Sequence, residues 1–445
     1  MKPGNVLDRW IAGKIGFAGQ TLRRDDIEDY QRRCLGETLA WVRQRSPFYR
    51  HHLGAAADTL PNVAALASLP FTTAGDLQVD ALRFLCVSQS AVQRVVTSES
   101  SGTTGQPKRL FFTAADQEIT IDFFHHGLSL MAGAGDSILI MLPGASPGSV
   151  GDLLVTAARR LGAKPVVFGF VRDPCAAVEA VMRCRAHLVI GLPVQMLAVA
   201  RQGRALGRRI DTLKTVLLCS DFVAESVVGE LEREWGADVF QHWGMTELGY
   251  GGGVECAAHR GYHLQELDFL FEIVDPRTGQ SITNGGLGEI VVTTLTRRGM
   301  PLIRYRTGDL SRFLPEPCPC GSPLRRFERI AARKSGRVAL GGDLEITIGD
   351  LDEVLLGRAG LADFSVRLSP GEPACLSITA SQALANGFGR RDGAALKLAI
   401  YAALEAVPAI RQARYAGLLT VQIQVQPEPL PPSRGKRVIT VDAAA

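Results

Sequence analysis

Read as a string of apolar and polar positions, the chain changes texture three times. Between Asp25 and Arg45 the residues Ile27, Tyr30, Cys34, Leu35, Leu39 and Val42 recur near every 3.6 positions, which predicts an amphipathic helix. Ser46-Pro47-Phe48-Tyr49-Arg50 breaks that pattern, because proline cannot continue the hydrogen-bond ladder. From about residue 92, short apolar runs begin to alternate with helix-like stretches. Val92–Val96 and Leu110–Thr113 read as strands around a polar loop, and Asp136–Leu142, Lys164–Phe168, His187–Ile190 and Leu213–Leu218 read as further strands. Helical patterns at Gly151–Leu161, Pro174–Arg185 and Ala224–Trp235 separate them, so βαβ units around a mostly parallel, buried sheet are expected.

After Trp243 the pattern turns β-rich. Phe269–Val274 and Gly288–Thr294 read as strands joined by turns at Asp275–Gly279 and Asn284–Gly286. A second boundary falls near Ile330–Lys334, and the runs beyond it predict a small α+β domain, with Pro427–Pro432 a stiff, extended segment before the last charged cluster. The expected fold class is α/β. A large N-terminal domain (1–332) combines α/β sheet layers with a β-rich subdomain, and a small α+β C-terminal domain (333–445) follows.

Composition narrows the function classes. With 46% hydrophobic and 21% charged residues in 445, the chain is that of a globular protein of more than one core. A net charge of +4 is too small to argue for a nucleic-acid or membrane-surface partner. No run has the apolar length to span a bilayer, and Met1–Asn5 lacks a signal-peptide pattern, so a cytoplasmic protein is expected. Cys34, Cys86, Cys175, Cys184, Cys219 and Cys375 are expected to be small buried hydrophobes, whereas Cys256, Cys318 and Cys320 stand in polar, turn-rich surroundings.

Five segments carry candidate chemistry. Ser98-Glu-Ser-Ser-Gly-Thr-Thr-Gly-Gln-Pro-Lys108 offers the hydroxyls of Ser100, Ser101, Thr103 and Thr104, the turns of Gly102 and Gly105, and the charge of Lys108. Such a loop suits a polyphosphate, although a solvated turn has the same composition. It is not a Walker A loop. In His242-Trp243-Gly244-Met245-Thr246-Glu247 a hydroxyl and a carboxylate follow a strand and can hold a phosphate oxygen and Mg²⁺, or merely cap a helix. Asp309, in Tyr305–Leu310, can accept two hydrogen bonds from a ribose diol or serve its turn. Arg333 and Lys436 alone would read as surface cations.

In this order the segments resemble the adenylate-forming superfamily of acyl-CoA synthetases and adenylation domains, and within it the phenylacetate–CoA ligase branch. Ser46–Arg50, Leu69-Pro-Phe-Thr-Thr73 with Asp76-Leu77, Gln93–Thr97 and the Cys256/His259 and Cys318/Cys320 sets strengthen the likeness. The resemblance implies ATP-dependent activation of a carboxylic acid as an acyl-adenylate, followed by thioester formation with coenzyme A, with the small domain mobile between the two steps. It assigns Ser100–Lys108 to the β- and γ-phosphates, Thr246 to the α-phosphate, Glu247 to Mg²⁺, Asp309 and Arg333 to the ribose, and Lys436 to the bridge between acyl carboxylate and α-phosphate. Ser220-Asp221 stands where relatives carry an adenine-side Gly-x-Glu, and Trp243, preceded by His242 and followed by Gly244, where they carry a tyrosine.

The junction Ala332-Arg333-Lys334-Ser335-Gly336 lacks the two aspartates usual there, which puts the second step in question more than the first. An acceptor that is a carrier protein or an amine, or a homologue that binds nucleotide without turnover, are the alternatives. The partners expected are an aryl or small carboxylic acid and CoA, with a homodimer left open. By analogy the acid would lie against Phe123–His126, Pro143–Gly148, Gly191–Pro193 and the glycines after Glu247, where Gly249 and Gly251–Gly253 would let it approach the backbone. Cys256, His259, Cys318 and Cys320 make a four-ligand structural zinc set, with His263 competing for the place of His259.

Overall fold

The computed structural model describes residues 6–17, 21–54, 63–98, 107–330, 332–333, 336–382, 393–427 and 436–442. Ser100, Ser101, Gly102, Thr103, Thr104 and Gly105 lie outside the described residues, as do Met1–Asn5, Lys334-Ser335, most of Pro427–Pro432 and Ser433-Arg434-Gly435. The chain forms two compact units, each assembled from separate stretches: Met1–Gly135, Gly144–Ala163 and Phe240–Ala331 in the first, and Asp136–Pro143, Lys164–Val239 and Ala332–Ala445 in the second.

In the first unit, Arg94–Ser98 pairs antiparallel with Lys108–Phe112, and Ser98 stands opposite Lys108. The polar loop therefore leaves and re-enters one two-stranded ribbon. Phe269–Val274, Gly288–Thr294 and Tyr305–Ser311 form an antiparallel sheet with a bulge between Glu289 and Val291. Strand Asp238–Gly244, Gly252–Val254, Tyr262–Leu264 and Arg326–Phe327 make a second antiparallel set. Their shared core includes Phe84, Leu110, Trp243, Leu264, Ile290, Tyr305 and Phe327. Ser46 does end the helix Arg24–Arg45, but its side chain also caps a new short helix, Pro47–His52. Proline fits that start because its missing N–H would be unpaired there in any case.

The second unit holds the parallel strands expected, in the order Lys164–Val167, Ser137–Ile140, Leu188–Gly191, Thr215–Leu218. Its C-terminal stretch adds a four-stranded sheet in the order Leu419–Gln426, Ala374–Gln382, Leu361–Ser369, Ile439–Val441. Helices Ile348–Leu355, Gly393–Leu404 and Pro408–Tyr415 accompany it. One continuous core runs through this unit, from Val189, Val227 and Leu231 to Leu351, Leu355, Phe364 and Ile378. Among the described residues no single helix is long and apolar enough to cross a membrane. Cys175 departs from the buried expectation. It is exposed at the first turn of helix Pro174–Arg183, where its backbone N–H meets the Asp173 cap.

Arg304 shows how the first unit is pinned. Its side chain is only 2% exposed and grips both carboxylate oxygens of Glu272, at 2.9 and 3.1 Å. It also donates to the carbonyls of Ala67 and Leu69 and lies over the Phe71 ring. These bonds carry the segment Leu69–Thr73 onto the start of strand Tyr305–Ser311. Removing one partner of a buried ion pair leaves the other charge uncompensated, at about 3–5 kcal/mol. Arg304→Ala is therefore expected to lower the urea midpoint markedly, and Arg304→Ala combined with Glu272→Ala to recover part of the loss. Equal midpoints for Arg304→Ala and the wild type would refute this role.

Candidate active site

Strand Asp238–Gly244 ends in the motif picked out by sequence, and a short 3-10 turn, Thr246–Leu248, follows it. Gly249 closes the turn in the left-handed region, at φ 67°, a conformation that favours glycine. The turn buries Glu247. Lys108, on the ribbon, donates to one Glu247 oxygen, and the Tyr305 hydroxyl donates to the same oxygen at 3.0 Å. Arg297, buried and stacked on Phe112, donates to the Glu247 carbonyl. Burial pushes the Glu247 carboxyl up, but Lys108 and Tyr305 outweigh it and hold the group below the usual glutamate range. Glu247 is thus ionised at neutral pH, with the Lys108 ammonium beside it.

Trp243 and Asp309 form the second contact of this region. The indole N–H donates to Asp309 Oδ2 at 2.9 Å, and both residues are buried. Asp309 follows Gly308, whose φ of 77° bends the strand, and its N–H bonds to the Thr307 hydroxyl. One carboxylate oxygen is therefore committed and its direction set by the strand. His242 packs between Phe123 and Phe124, with ring centres 6.1 Å apart in each case. Burial pushes its pKa down to about 4, and its Nε2 has no hydrogen-bond partner. At neutral pH it is an uncharged imidazole.

The structure brings Lys108, Trp243, Glu247 and Asp309 together in the first unit, with Gly244 at the strand's end and Thr246 opening the turn. Ser220 and Asp221 belong to the second unit, where Ser220 takes a left-handed φ of 73°. Asp221 accepts the Arg437 backbone N–H at 3.0 Å and lies within the field of Lys436. Arg333, half-buried, sits on the two-residue strand Ala332–Arg333.

Tyr305 and Arg297 were not singled out by sequence. Tyr305 opens a motif quoted for its aspartate, and its position was the available signal. Arg297 carried none. The supporting residues also acquire a function. The Tyr49 hydroxyl lies 3.1 Å from Thr72 Oγ1 and accepts the Ile303 N–H at 2.9 Å, while Thr72 bridges to Tyr305. Ser46–Arg50 and Leu69–Thr73 therefore set the strand that carries Tyr305 and Asp309.

The glycine run is packed closely by the protein's own atoms. A Cβ on Gly252 would lie 2.7 Å from the Trp243 carbonyl oxygen, and one on Gly253 2.9 Å from Tyr262 Cβ. One on Gly251 would collide with Gln265, and one on Gly249 would meet Thr120. Contacts within the protein thus give these glycines a packing role of their own.

Of the two competing histidines, His263 joins the cysteines. Single donor atoms of Cys256, His263, Cys318 and Cys320 lie within 4.8 Å of one another, and three of the four residues are buried. Cys256 and Cys318 sulfurs are 3.7 Å apart, and Cys320 Sγ is 3.4 Å from His263 Nε2. A disulfide would need about 2.05 Å. A tetrahedron with arms of about 2.3 Å to sulfur and 2.0–2.1 Å to nitrogen has edges of about 3.7 and 3.5 Å, so the donor set fits zinc. His259 instead turns to the buried Glu255 at 3.4 Å and packs on Phe240. Elemental analysis of the purified protein is expected to find one zinc per chain, lost in His263→Ala and kept in His259→Ala. The opposite pattern, or no metal in the wild type, would remove the assignment.

Residues 99–296 match the family model described as AMP-binding enzyme. Phenylacetate-coenzyme A ligase of Aromatoleum evansii is 30% identical over 331 residues, covering 72% of this chain and 73% of the relative. The enzyme of the same name from Thermus thermophilus is 30% identical over 337 residues, covering 73% and 74%. Among solved structures, a 2-hydroxyisobutyryl-CoA ligase in its postadenylation state superposes with a TM-score of 0.77 at 19% identity, covering 94% of this chain and 89% of that one. The family model and these relatives show that the chain belongs to the phenylacetate–coenzyme A ligase branch of the adenylate-forming enzymes.

Proposed function

We propose that the protein is an AMP-forming acid–CoA ligase acting on a small or aryl carboxylic acid. A carboxylate oxygen attacks the α-phosphorus of ATP, the bond to the pyrophosphate oxygen breaks, and an acyl-adenylate forms. The sulfur of coenzyme A then attacks the acyl carbon, its proton leaves to solvent, and AMP departs with the C–O bond pair. The observation that carries this reading is the buried Glu247 held ionised between Lys108 and Tyr305, in a chain 30% identical to a phenylacetate-coenzyme A ligase over 331 residues.

The first step joins two anions, so the site must neutralise charge and hold the partners in line. Lys108, with Ser100–Gly105, is assigned to the β- and γ-phosphates, and Thr246 to the α-phosphate. Glu247 would hold Mg²⁺, a hard cation suited to an oxygen ligand, which would supply further neutralisation of phosphate charge. Asp309, aimed by Trp243, is assigned to the ribose diol together with Arg333, and Lys436 to the reacting carboxylate. Ser220-Asp221 and His242-Trp243-Gly244 complete the nucleotide side. The His263/Cys256/Cys318/Cys320 set would hold a structural zinc. The reading includes a domain boundary near 332/333, a mobile C-terminal part and action in the cytoplasm, with a homodimer left to measurement.

Acid-dependent ATP–pyrophosphate exchange tests the first step, using phenylacetate and a panel of aryl and short-chain acids, and CoA-dependent AMP release tests the second. Exchange is expected with at least one acid and is expected to fall by about 100-fold or more in Lys436→Ala. No exchange with any acid, or full exchange in that variant, would overturn the reading. Exchange without CoA-dependent AMP release would instead favour a carrier-protein or amine acceptor.

A further inference from the structure

Lys436 is followed by an arginine whose surroundings are unlike those of a surface cation. Arg437 is 7% exposed. Its Nε donates to Asp352 Oδ1 at 3.0 Å, one terminal nitrogen to Asp363 Oδ1 at 2.6 Å, and the other to the Phe364 carbonyl at 3.0 Å. The guanidinium also lies 4.5 Å from the centre of the Phe364 ring. Its backbone N–H donates to Asp221 at 3.0 Å. All three guanidinium nitrogens and the backbone N–H are thus bonded to the segments around them, and those partners belong to the second unit.

The chemistry of the cluster argues for placement rather than adhesion. Three carboxylates around one guanidinium are costly to bury, and a buried ion cluster returns little net stability. Asp352 illustrates the cost: burial, with Asp221 and Asp363 nearby, pushes its carboxyl up to about 7 despite Arg437. What the arrangement does supply is direction. A planar fork with several fixed acceptors has one orientation, which a lysine's point charge would not have. A lysine ammonium sits on a flexible four-carbon stem, so fixing the backbone beside it narrows where that ammonium can be presented.

Resting on the proposed catalytic role of Lys436, we propose that Arg437 is its positioning residue: a latch on Asp221, Asp352 and Asp363 that fixes the Lys436 backbone for adenylation and has no part in thioester formation. Arg437 touches no reacting atom. Asp221, read from sequence as an adenine-side group, serves here as the latch's backbone acceptor. The latch joins the segment 164–239 to the C-terminal stretch, alongside Arg201, which binds Glu230 and the carbonyls of Leu356 and Leu361. Among the described residues Arg201 bonds neither Lys436 nor Arg437, which separates general attachment from the placement of that lysine.

The two half-reactions, measured separately on the full-length protein, test the latch. Arg437→Ala is expected to lower kcat for acid-dependent ATP–pyrophosphate exchange by about 10- to 100-fold, with KM for ATP within about two-fold. CoA-dependent consumption of preformed phenylacetyl-adenylate, or of the adenylate of whichever panel acid exchanges, is expected to stay within about two-fold of wild type. A parallel fall in both half-reactions, or unchanged exchange, would overturn the proposal. If Arg437→Ala fails to fold, Arg437→Lys and Asp363→Asn carry the test. Each is expected to lose about 3- to 10-fold in exchange only, and unchanged exchange in both would be equally fatal. Failure of the underlying reading would look different: no exchange in the wild type, or exchange indifferent to Lys436→Ala. Exchange present, lost in Lys436→Ala and untouched in Arg437→Ala, would sink the latch alone.

Discussion

A carboxylate taken out of water must find its compensation close by, and in the first unit that demand falls on Glu247. It is met from three distant parts of the chain: Lys108 on the ribbon, Tyr305 on the sheet and Arg297 at the backbone. Each supporter needs a support of its own. Tyr305 follows Ile303, whose N–H is bonded to Tyr49 and whose carbonyl accepts the hydroxyl of Thr72, and Arg304 clamps the same strand to Glu272. Segments that look like connecting helix and loop thus serve to fix one hydroxyl next to one carboxylate. The low dielectric of the site makes such fixed partners count for more than they would in water.

Residues whose chemistry is local were legible from the chain, and residues whose role depends on what lies opposite were not. Glu247 and Asp309 announced themselves by type and position in short motifs. The alternation of apolar runs likewise disclosed the parallel strands of the second unit, because burial on both faces leaves a signature in sequence. Arg297 and Arg437 looked like ordinary cations, since nothing in their neighbours states that carboxylates and carbonyls arrive from 50 to 216 positions away. His259 and His263 show the same limit. Both lie within seven residues of Cys256, and only the pairing of Tyr262–Leu264 with Arg326–Phe327 brings the second one to the Cys318/Cys320 loop.

The cysteine cluster and the ribbon answer different physical needs. Short strands such as Arg326–Phe327 and Tyr262–Leu264 offer few ladder bonds, so a metal held by the four donors converging beside them would supply a cross-link that length does not. The ribbon has the opposite requirement. Its two strands are registered residue by residue from Arg94/Phe112 to Ser98/Lys108, which places the lysine at the mouth of the loop whatever the loop itself does.

The glycines after Glu247 bear on how such a protein can change over generations. Because Trp243, Tyr262, Gln265 and Thr120 already occupy the space a side chain would take, no single substitution at Gly249 or Gly251–Gly253 reshapes this wall without displacing a neighbour. The restriction is strictest at Gly252, which faces the Trp243 backbone and ring, and looser at Gly251, which meets the end of the Gln265 side chain. The flanking helix Ala114–Leu128 is under no such restriction at its half-buried positions, so it is where mutational drift can proceed one step at a time.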